Sequence, residues 1–256
     1  MSLEKIRFLL KEHQVNVEYV KPLPKYTAEK PYILGLDIAL SDESIRTNLE
    51  FEQKQLNVSD ARSVRDELSV EAQGFELLTI PSEIMALHFN DIDSRNETKG
   101  VQSLLSQRFK TDKVYLYDHA YRKEESKAKE AEYSFSNRPG HAIIVRNPHA
   151  DQTLASGRNR VTAHLTPEEQ KHYLSDNWRI RIIKVQSAPL LLCDPFSIPP
   201  GGIIACDVVS GTYVGESLFL FYSEGHRWFW FKDQDVDEAL LFLASTHQVT
   251  SSTMQG

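Results

Sequence analysis

The second half of the chain alternates apolar and polar positions with the two-residue period of half-buried β-strands. In the run 179–185, Ile180, Ile182 and Lys184 lie on one face, while Arg179 and Arg181 lie on the other. Further short apolar runs follow at 190–194, 202–207, 213–222 and 228–232. This density of short strands predicts a barrel built from a rolled sheet.

The first half of the chain mixes helical and extended patterns. Apolar residues at helical spacing predict amphipathic helices over 3–13 and 96–110, the second with Asn96 as its N-cap. Strand-like runs are predicted at 46–59, 74–78 and 114–119. The first half therefore predicts an elaboration around the barrel.

A strong helix start follows at Thr166. Thr166 is the predicted N-cap, Pro167 falls at the first helical position, and Glu169 closes a capping box. The segment 235–242 fits either a helix or a final strand.

These patterns predict a mainly β protein with flanking helices (α+β), folded as a double-stranded β-helix of the jelly-roll, cupin-like kind. We expect a single domain over 1–247. Within it, a helical and extended elaboration covers about 1–112, the jelly-roll core covers about 113–247, and 248–256 form a flexible tail.

Composition narrows the class of protein. The 256 residues are 41% hydrophobic and 25% charged, as in globular domains, and the net charge of −7 argues against a nucleic-acid binder. No apolar run approaches the ~20 residues of a membrane span, and the N-terminus does not resemble a secretory signal. The only cysteines, Cys193 and Cys206, lie in apolar runs and are expected to be buried free thiols. We therefore expect a cytoplasmic protein; an oligomer is possible but not indicated.

One segment has the residue types of a metal site. His149 and Asp151 are two apart after an apolar run, so in a strand both side chains point to one face. His226 comes 75 residues after Asp151 (226 − 151), which leaves room for intervening strands. Two histidines and one carboxylate form the ligand set of non-haem Fe(II) oxygenases. The competing interpretation is a surface histidine beside a solvated aspartate. Three other histidines are weaker candidate ligands: His119, which is the next choice after His226, His141 and His164.

Several ordered motifs then resemble one known family. They are Val58-Ser59-Asp60-Ala61-Arg62 with Gly74-Phe75, the strand from Val114 to Arg122, His149-Ala150-Asp151-Gln152-Thr153, Pro189-Leu190-Leu191-Leu192-Cys193-Asp194-Pro195-Phe196-Ser197, Gly215-Glu216, and His226-Arg227-Trp228-Phe229-Trp230-Phe231 with Asp237-Glu238-Ala239-Leu240-Leu241. The chain resembles the cephem 7α-methoxylase subunit J and asaB-type hydroxylase/desaturase family over most of its length. The resemblance implies an enzyme that uses Fe(II) and 2-oxoglutarate to oxidise a small-molecule intermediate of secondary metabolism.

The sequence departs from this family where an Asn-x-Trp-Arg-Pro run is usual. Residues 183–189 lack the Trp-Arg-Pro. The linker that leads to the Pro-Leu segment at 189–190 is also shorter than in the family. An arginine could hold the distal carboxylate of 2-oxoglutarate, so this protein either uses another cation or has lost the cosubstrate. The candidates are Lys184, Arg181 and Arg227, together with Arg179. If the isoleucine face of 179–185 points inward, Lys184 points inward with it.

Other residues and functions remain open at this point. Glu216 is a candidate partner of a ligand histidine, and Tyr213, Trp228, Phe229 and Trp230 could line a substrate pocket or simply fill the core. Two alternative functions are a metal-bearing isomerase, cyclase or dehydratase on the same barrel, and a non-catalytic accessory subunit. The sequence does not identify the substrate.

Overall fold

The computed structural model describes eight stretches of the chain, and all structural statements refer to them: 10–35, 43–84, 94–111, 113–118, 147–175, 178–186, 189–210 and 214–248. Most of the predicted helix 3–13 and the tail from 249 lie outside these residues. Within them the chain forms three separate β-sheets with helices beside them. The expected mainly β class with flanking helices is confirmed.

The first sheet joins strands from both ends of the chain. Its order is β1 (Glu12–Val20), β3 (Phe51–Asp60), β10 (Trp228–Trp230) and β7 (Leu192–Cys193). β10 runs parallel to β3, with Trp228 opposite Val58. Trp228 and Phe229 point to opposite faces of β10, and both are buried because each face packs against a hydrophobic cluster. The aromatic run at 228–231 therefore supplies core residues of this sheet.

The second sheet carries the predicted ligand strand. Its order is β2 (Tyr32–Gly35), β8 (Ile203–Ser210), β9 (Val214–Leu220) and β5 (His149–Ala150). β5 is a two-residue edge strand, antiparallel to β9, in which His149 lies opposite Phe219. This pairing fixes the start of the His-x-Asp segment at the edge of the sheet.

The third sheet consists of β4 (Phe75–Thr79), β11 (Glu238–Gln248) and β6 (Arg179–Gln186), with β11 in the middle. Leu240 and Leu241 on β11 are both fully buried, because the strand is covered on its two faces. The pattern at 235–242 is thus a strand, which begins at Glu238 and continues to Gln248.

Four α-helices lie outside the sheets in the described residues: α1 (Val70–Gln73), α2 (Ser94–Phe109), α3 (Leu154–His164) and α4 (Pro167–Tyr173). Short 3-10 turns occur at Pro24–Thr27, Glu43–Arg46, Arg62–Glu67 and Pro195–Ser197. The capping box of Thr166 and Glu169 is confirmed. Asn96 lies inside α2, so the prediction that it caps this helix was wrong. The sequence analysis missed α3.

One prediction about the barrel is wrong and another stays untested. Residues 113–118 are not a strand, although 114–119 alternate as one would, and no strand of the described residues pairs with them. The three sheets do not close into a barrel within the described residues, so the jelly-roll detail stays a prediction.

The single domain expected over 1–247, with an elaboration over about 1–112 and a core over about 113–247, stays a prediction. In the described residues, strands from the first 112 residues enter all three sheets: β1 and β3 join β10, β2 pairs with β8, and β4 pairs with β11.

Both cysteines are free, as expected; Cys206 is buried as expected, whereas Cys193 is only half-buried. No helix in the described part of the chain is long and apolar enough to cross a membrane.

Candidate metal centre

His149 and Asp151 converge at the end of β5, as their spacing predicts. His149 Nε2 lies 3.4 Å from Asp151 Oδ1. The other ring nitrogen, Nδ1, lies 2.8 Å from the carbonyl oxygen of Asn147, which can only accept a hydrogen bond. The Nδ1 atom therefore carries a proton, and in neutral His149 the Nε2 lone pair faces the carboxylate. Two lone pairs that face each other at this distance repel, and a proton or a cation between them removes the repulsion.

Asp151 is held from two further sides. Lys184 Nζ lies 2.6 Å from Asp151 Oδ2, and the Ser217 hydroxyl donates to the backbone carbonyl of Asp151 at 3.1 Å. Burial by itself would raise the pKa of the Asp151 carboxyl. The contacts with His149 and Lys184 outweigh burial and hold this pKa well below its usual value. The carboxylate is therefore ionised at neutral pH.

His226 lies in a different setting, beside the first sheet. The Tyr19 hydroxyl lies 3.2 Å from His226 Nδ1 and accepts a hydrogen bond from Trp228 Nε1 at 2.9 Å. The rings of Tyr19 and His226 stack, with centroids 5.8 Å apart. His226 is only 5% exposed, its Nε2 is buried without a hydrogen-bond partner, and burial lowers its pKa.

The predicted convergence of His149, Asp151 and His226 is not present in the described structure. No group of three or more His, Cys, Asp or Glu side chains in the described residues lies where it could hold one metal ion. The reason lies in the strand order. After β9 the chain leaves the second sheet and enters the first sheet as β10. His226 lies just before β10, where its ring contacts Tyr19 of β1. The role of His226 as a ligand thus stays a prediction.

Of the four candidate cations, Lys184 is the one that the described structure places against Asp151, while Arg179 lies at the start of β6 opposite Gln248. Arg181 lies on the opposite face of β6, where it pairs with Glu71 at 3.3 Å. Arg227 donates two hydrogen bonds to Asp194, a carboxylate that is 2% exposed. Both arginines form ion pairs with other carboxylates, and their expected role at a cosubstrate site stays a prediction.

Other expected site residues have structural partners. Glu216 accepts a hydrogen bond from Thr153 Oγ1 at 2.8 Å and pairs with Lys30, so its partners are not histidines. Phe229 is fully buried and Trp228 is 6% exposed, and both belong to hydrophobic clusters. His164 stacks on Tyr117.

Tyr213, His119 and His141 lie outside the described residues. Trp230, also considered for a substrate pocket, is half-buried and packs edge-on against His13.

Asn147 and Tyr19 each fix a histidine ring, and neither is among the predicted site residues. Asn147 stands two residues before His149, a position from which its carbonyl can reach the ring. Tyr19 lies more than 200 residues from His226 in the chain, and only its place in the alternating run of β1 marks it as inward-facing. A hollow of about 180 Å³ opens beside His226, with Gln14 and Asn57 in its wall.

Comparison with known proteins adds three findings. The family model described as oxidoreductase/YMDC permease-like domain matches residues 17–254. A structure of the iron and alpha-ketoglutarate-dependent endoperoxidase NvfI matches with a TM-score of 0.72 at 19% identity, over 93% of this chain and 86% of that enzyme. A tryptophan-to-phenylalanine variant of NvfI matches with a TM-score of 0.70 at 18% identity, over 93% and 85% of the two chains. Comparison with curated protein sequences gives no match.

The structural matches and the family match show different things about this chain. At 18–19% identity, the likeness to NvfI concerns the fold. The family model covers nearly the whole chain, from the middle of β1 to beyond β11. The chain therefore belongs to the oxidoreductase/YMDC permease-like domain family.

Proposed function

We propose that the protein is a non-haem Fe(II)- and 2-oxoglutarate-dependent oxygenase that acts on a small-molecule intermediate of secondary metabolism. One observation carries the proposal: His149 Nε2 and the ionised carboxylate of Asp151 face each other 3.4 Å apart, with the imidazole fixed by Asn147. The oxidoreductase class of the family supports it. So does the fold shared with NvfI, whose name includes iron and alpha-ketoglutarate. The sequence motifs favour the asaB-type branch.

The side chains present fit an iron site in part. His149 and Asp151 would supply one nitrogen and one oxygen ligand, and the hydrogen bond to Asn147 orients the imidazole in the way that outer partners of metal ligands do. His226 would be the third ligand. Its Nδ1 is held by Tyr19 while its Nε2 has no partner, which leaves the second nitrogen available. This part of the proposal requires the 223–226 turn to bring the ring towards Asp151.

Bound Fe(II) and 2-oxoglutarate would supply the oxidising chemistry that protein side chains lack. The chain's own residues would orient the reactants. The Lys184 ammonium group, which is 38% exposed at the side of Asp151, would hold the distal carboxylate of the cosubstrate. The hydrogen bond between Tyr19 and Trp228 would fix the plane of the His226 ring. A reducing, cytoplasmic setting fits the two free thiols.

The test is anaerobic addition of Fe(II) and 2-oxoglutarate while a visible spectrum is recorded. We expect a metal-to-ligand band in the wild type that disappears in His149→Ala and Asp151→Ala. The matched control is His172→Ala. His172 lies on α4, and its ring packs against Tyr173 of the same helix and against Trp178, which follows the helix. This control should keep the band.

The outcomes separate the competing functions. A band that persists in His226→Ala removes His226 from the ligand set and directs the same test to His119. Bound iron without the band, and turnover without oxygen or succinate, would indicate a non-oxidative metal enzyme. Failure of the folded wild type to bind any divalent metal would leave the accessory-subunit alternative.

A further inference from the structure

Both carboxylate oxygens of Asp151 are already engaged by side chains. Oδ1 faces His149 Nε2 at 3.4 Å, and Oδ2 lies 2.6 Å from Lys184 Nζ. A cation that binds Asp151 through both oxygens needs the oxygen that Lys184 holds, and a cation bound through Oδ1 alone meets the ammonium charge across the carboxylate. The ammonium group of lysine is a compact point charge with strong hydration, and so it is a reasonable substitute for a small cation at a carboxylate.

The position of Lys184 allows its head group to leave. Its backbone is fixed in β6, where Lys184 pairs with Phe242 of β11. It shares a strand face with Ile182, which is 4% exposed, so the stem starts from the covered side of the sheet. The side chain is nevertheless 38% exposed, and its four-carbon stem gives the ammonium group a route to water.

On the basis of the proposed function, we propose that Lys184 competes with the metal for Asp151. Its ammonium group holds the carboxylate in place until a divalent cation displaces it. Lys184 then lies beside the site with a free positive charge that an anionic cosubstrate can pair with. Metal binding and release of Lys184 are therefore one coupled step.

This role predicts two opposite effects of one substitution. Lys184→Met keeps an unbranched stem of similar length and removes the charge. The metal should then bind more tightly, because it no longer displaces an ion pair or meets a like charge. Without metal the fold should be less stable, because Asp151 loses its partner. A lysine that only supports a metal ligand would move both quantities in the same direction.

The experiment titrates chelator-treated full-length protein with Mn(II) and measures free Mn(II) by electron paramagnetic resonance. We expect a Kd about tenfold lower for Lys184→Met than for the wild type. Lys184→Arg, which keeps the charge, should bind Mn(II) no more tightly than the wild type. The matched control is Lys30→Met, since Lys30 pairs with Asp207 and Glu216 and does not contact Asp151.

A second readout is thermal unfolding with EDTA and with saturating Mn(II). The Tm of Lys184→Met should be below that of the wild type in EDTA, and Mn(II) should raise it by a larger increment. Equal Mn(II) affinities in a folded Lys184→Met and the wild type would overturn the competition while leaving the proposed function intact. Weaker binding in the variant would make Lys184 a support of the site and would also overturn it. Absence of Mn(II) and Fe(II) binding in both proteins would remove the proposed function together with this inference.

Discussion

At the scale of single residues, local surroundings give identical side chains different properties. His149 and His226 each have Nδ1 engaged, one by a backbone carbonyl and one by a buried phenol. His149 faces a charged carboxylate, whereas His226 lies in an aromatic cluster where burial lowers its pKa. Residue type alone predicts two equivalent ligands, and the surroundings make them unequal.

The two cysteines provide a test of burial. Burial raises the pKa of both thiols to about 12, and Cys206 is fully buried. Since the thiolate is the reactive form, both should react with Ellman's reagent at pH 8 far more slowly in the native protein than in urea. The Cys193→Ser variant should show the slower of the two native rates. A native rate as fast as that in urea would contradict this burial.

Glu238 provides a test of a buried charge. It is 4% exposed, and its Oε1 atom lies 2.5 Å from a nitrogen of Arg62 and of Arg65. Burial would raise the pKa of Glu238, but the hydrogen bonds from Arg62 and the Asp235 backbone, together with the charges of Arg62 and Arg65, outweigh burial and lower the net pKa. We expect Glu238→Gln to lower the free energy of unfolding by about 2 kcal/mol at pH 7.

The pH dependence of this effect follows from the direction of the pKa shift. A lowered folded-state pKa contributes stability above the unfolded pKa near 4.5, and this contribution is lost as the pH falls through the folded value. The difference in urea unfolding between the wild type and Glu238→Gln should therefore shrink towards pH 3. Asp66→Asn is the control, because Asp66 is exposed and pairs only loosely with Arg65 at 3.5 Å. An equal difference at pH 7 and pH 3 would contradict the assignment.

At the scale of elements, capping chemistry predicted one helix and missed another. The start of α4 could be predicted because Thr166, Pro167 and Glu169 form a complete local signal. The start of α3 has only Thr153, which accepts from the Ser156 amide, and the residues that follow are too polar to form an apolar stripe. α3 is fixed from outside instead, because Thr153 Oγ1 also donates to Glu216 on β9.

Thr153→Ala should therefore destabilise the protein by about 1 kcal/mol for the cap alone. It should cost more than Thr166→Ala, since the hydrogen bond to Glu216 is lost as well. Thr153→Ser should retain both interactions. Chemical denaturation of the three variants checks the order, and a Thr153→Ala variant as stable as Thr153→Ser would disprove it.

At the scale of the whole molecule, the sheets depend on pairings between distant parts of the chain. β10 has three residues and lies between β3 and β7, and β11 has β4 along one side. A chain without the first 112 residues would leave both strands with an uncovered edge.

We therefore expect a fragment of residues 113–256 to unfold without a cooperative transition, whereas the full chain should unfold cooperatively. Circular dichroism during thermal and urea unfolding of both proteins measures this. A cooperative transition in the fragment would show that the expected core of about 113–247 is an independent unit after all.

The sequence by itself determined features that depend on neighbouring residues. The alternation of β6 places Lys184 on the face of Ile182, the spacing of His149 and Asp151 makes them converge, and Thr166 caps α4. These follow from backbone periodicity and hydrogen bonds within a few residues.

Only the tertiary structure decided which strands pair and what surrounds each charge. It placed His226 against Tyr19, paired Arg181 with Glu71 and Arg227 with Asp194, and gave 113–118 no partner strand among the described residues. The physical reason is that strand pairing and ion pairing join residues far apart in the chain, so a local pattern can show which way a side chain points but not what it meets.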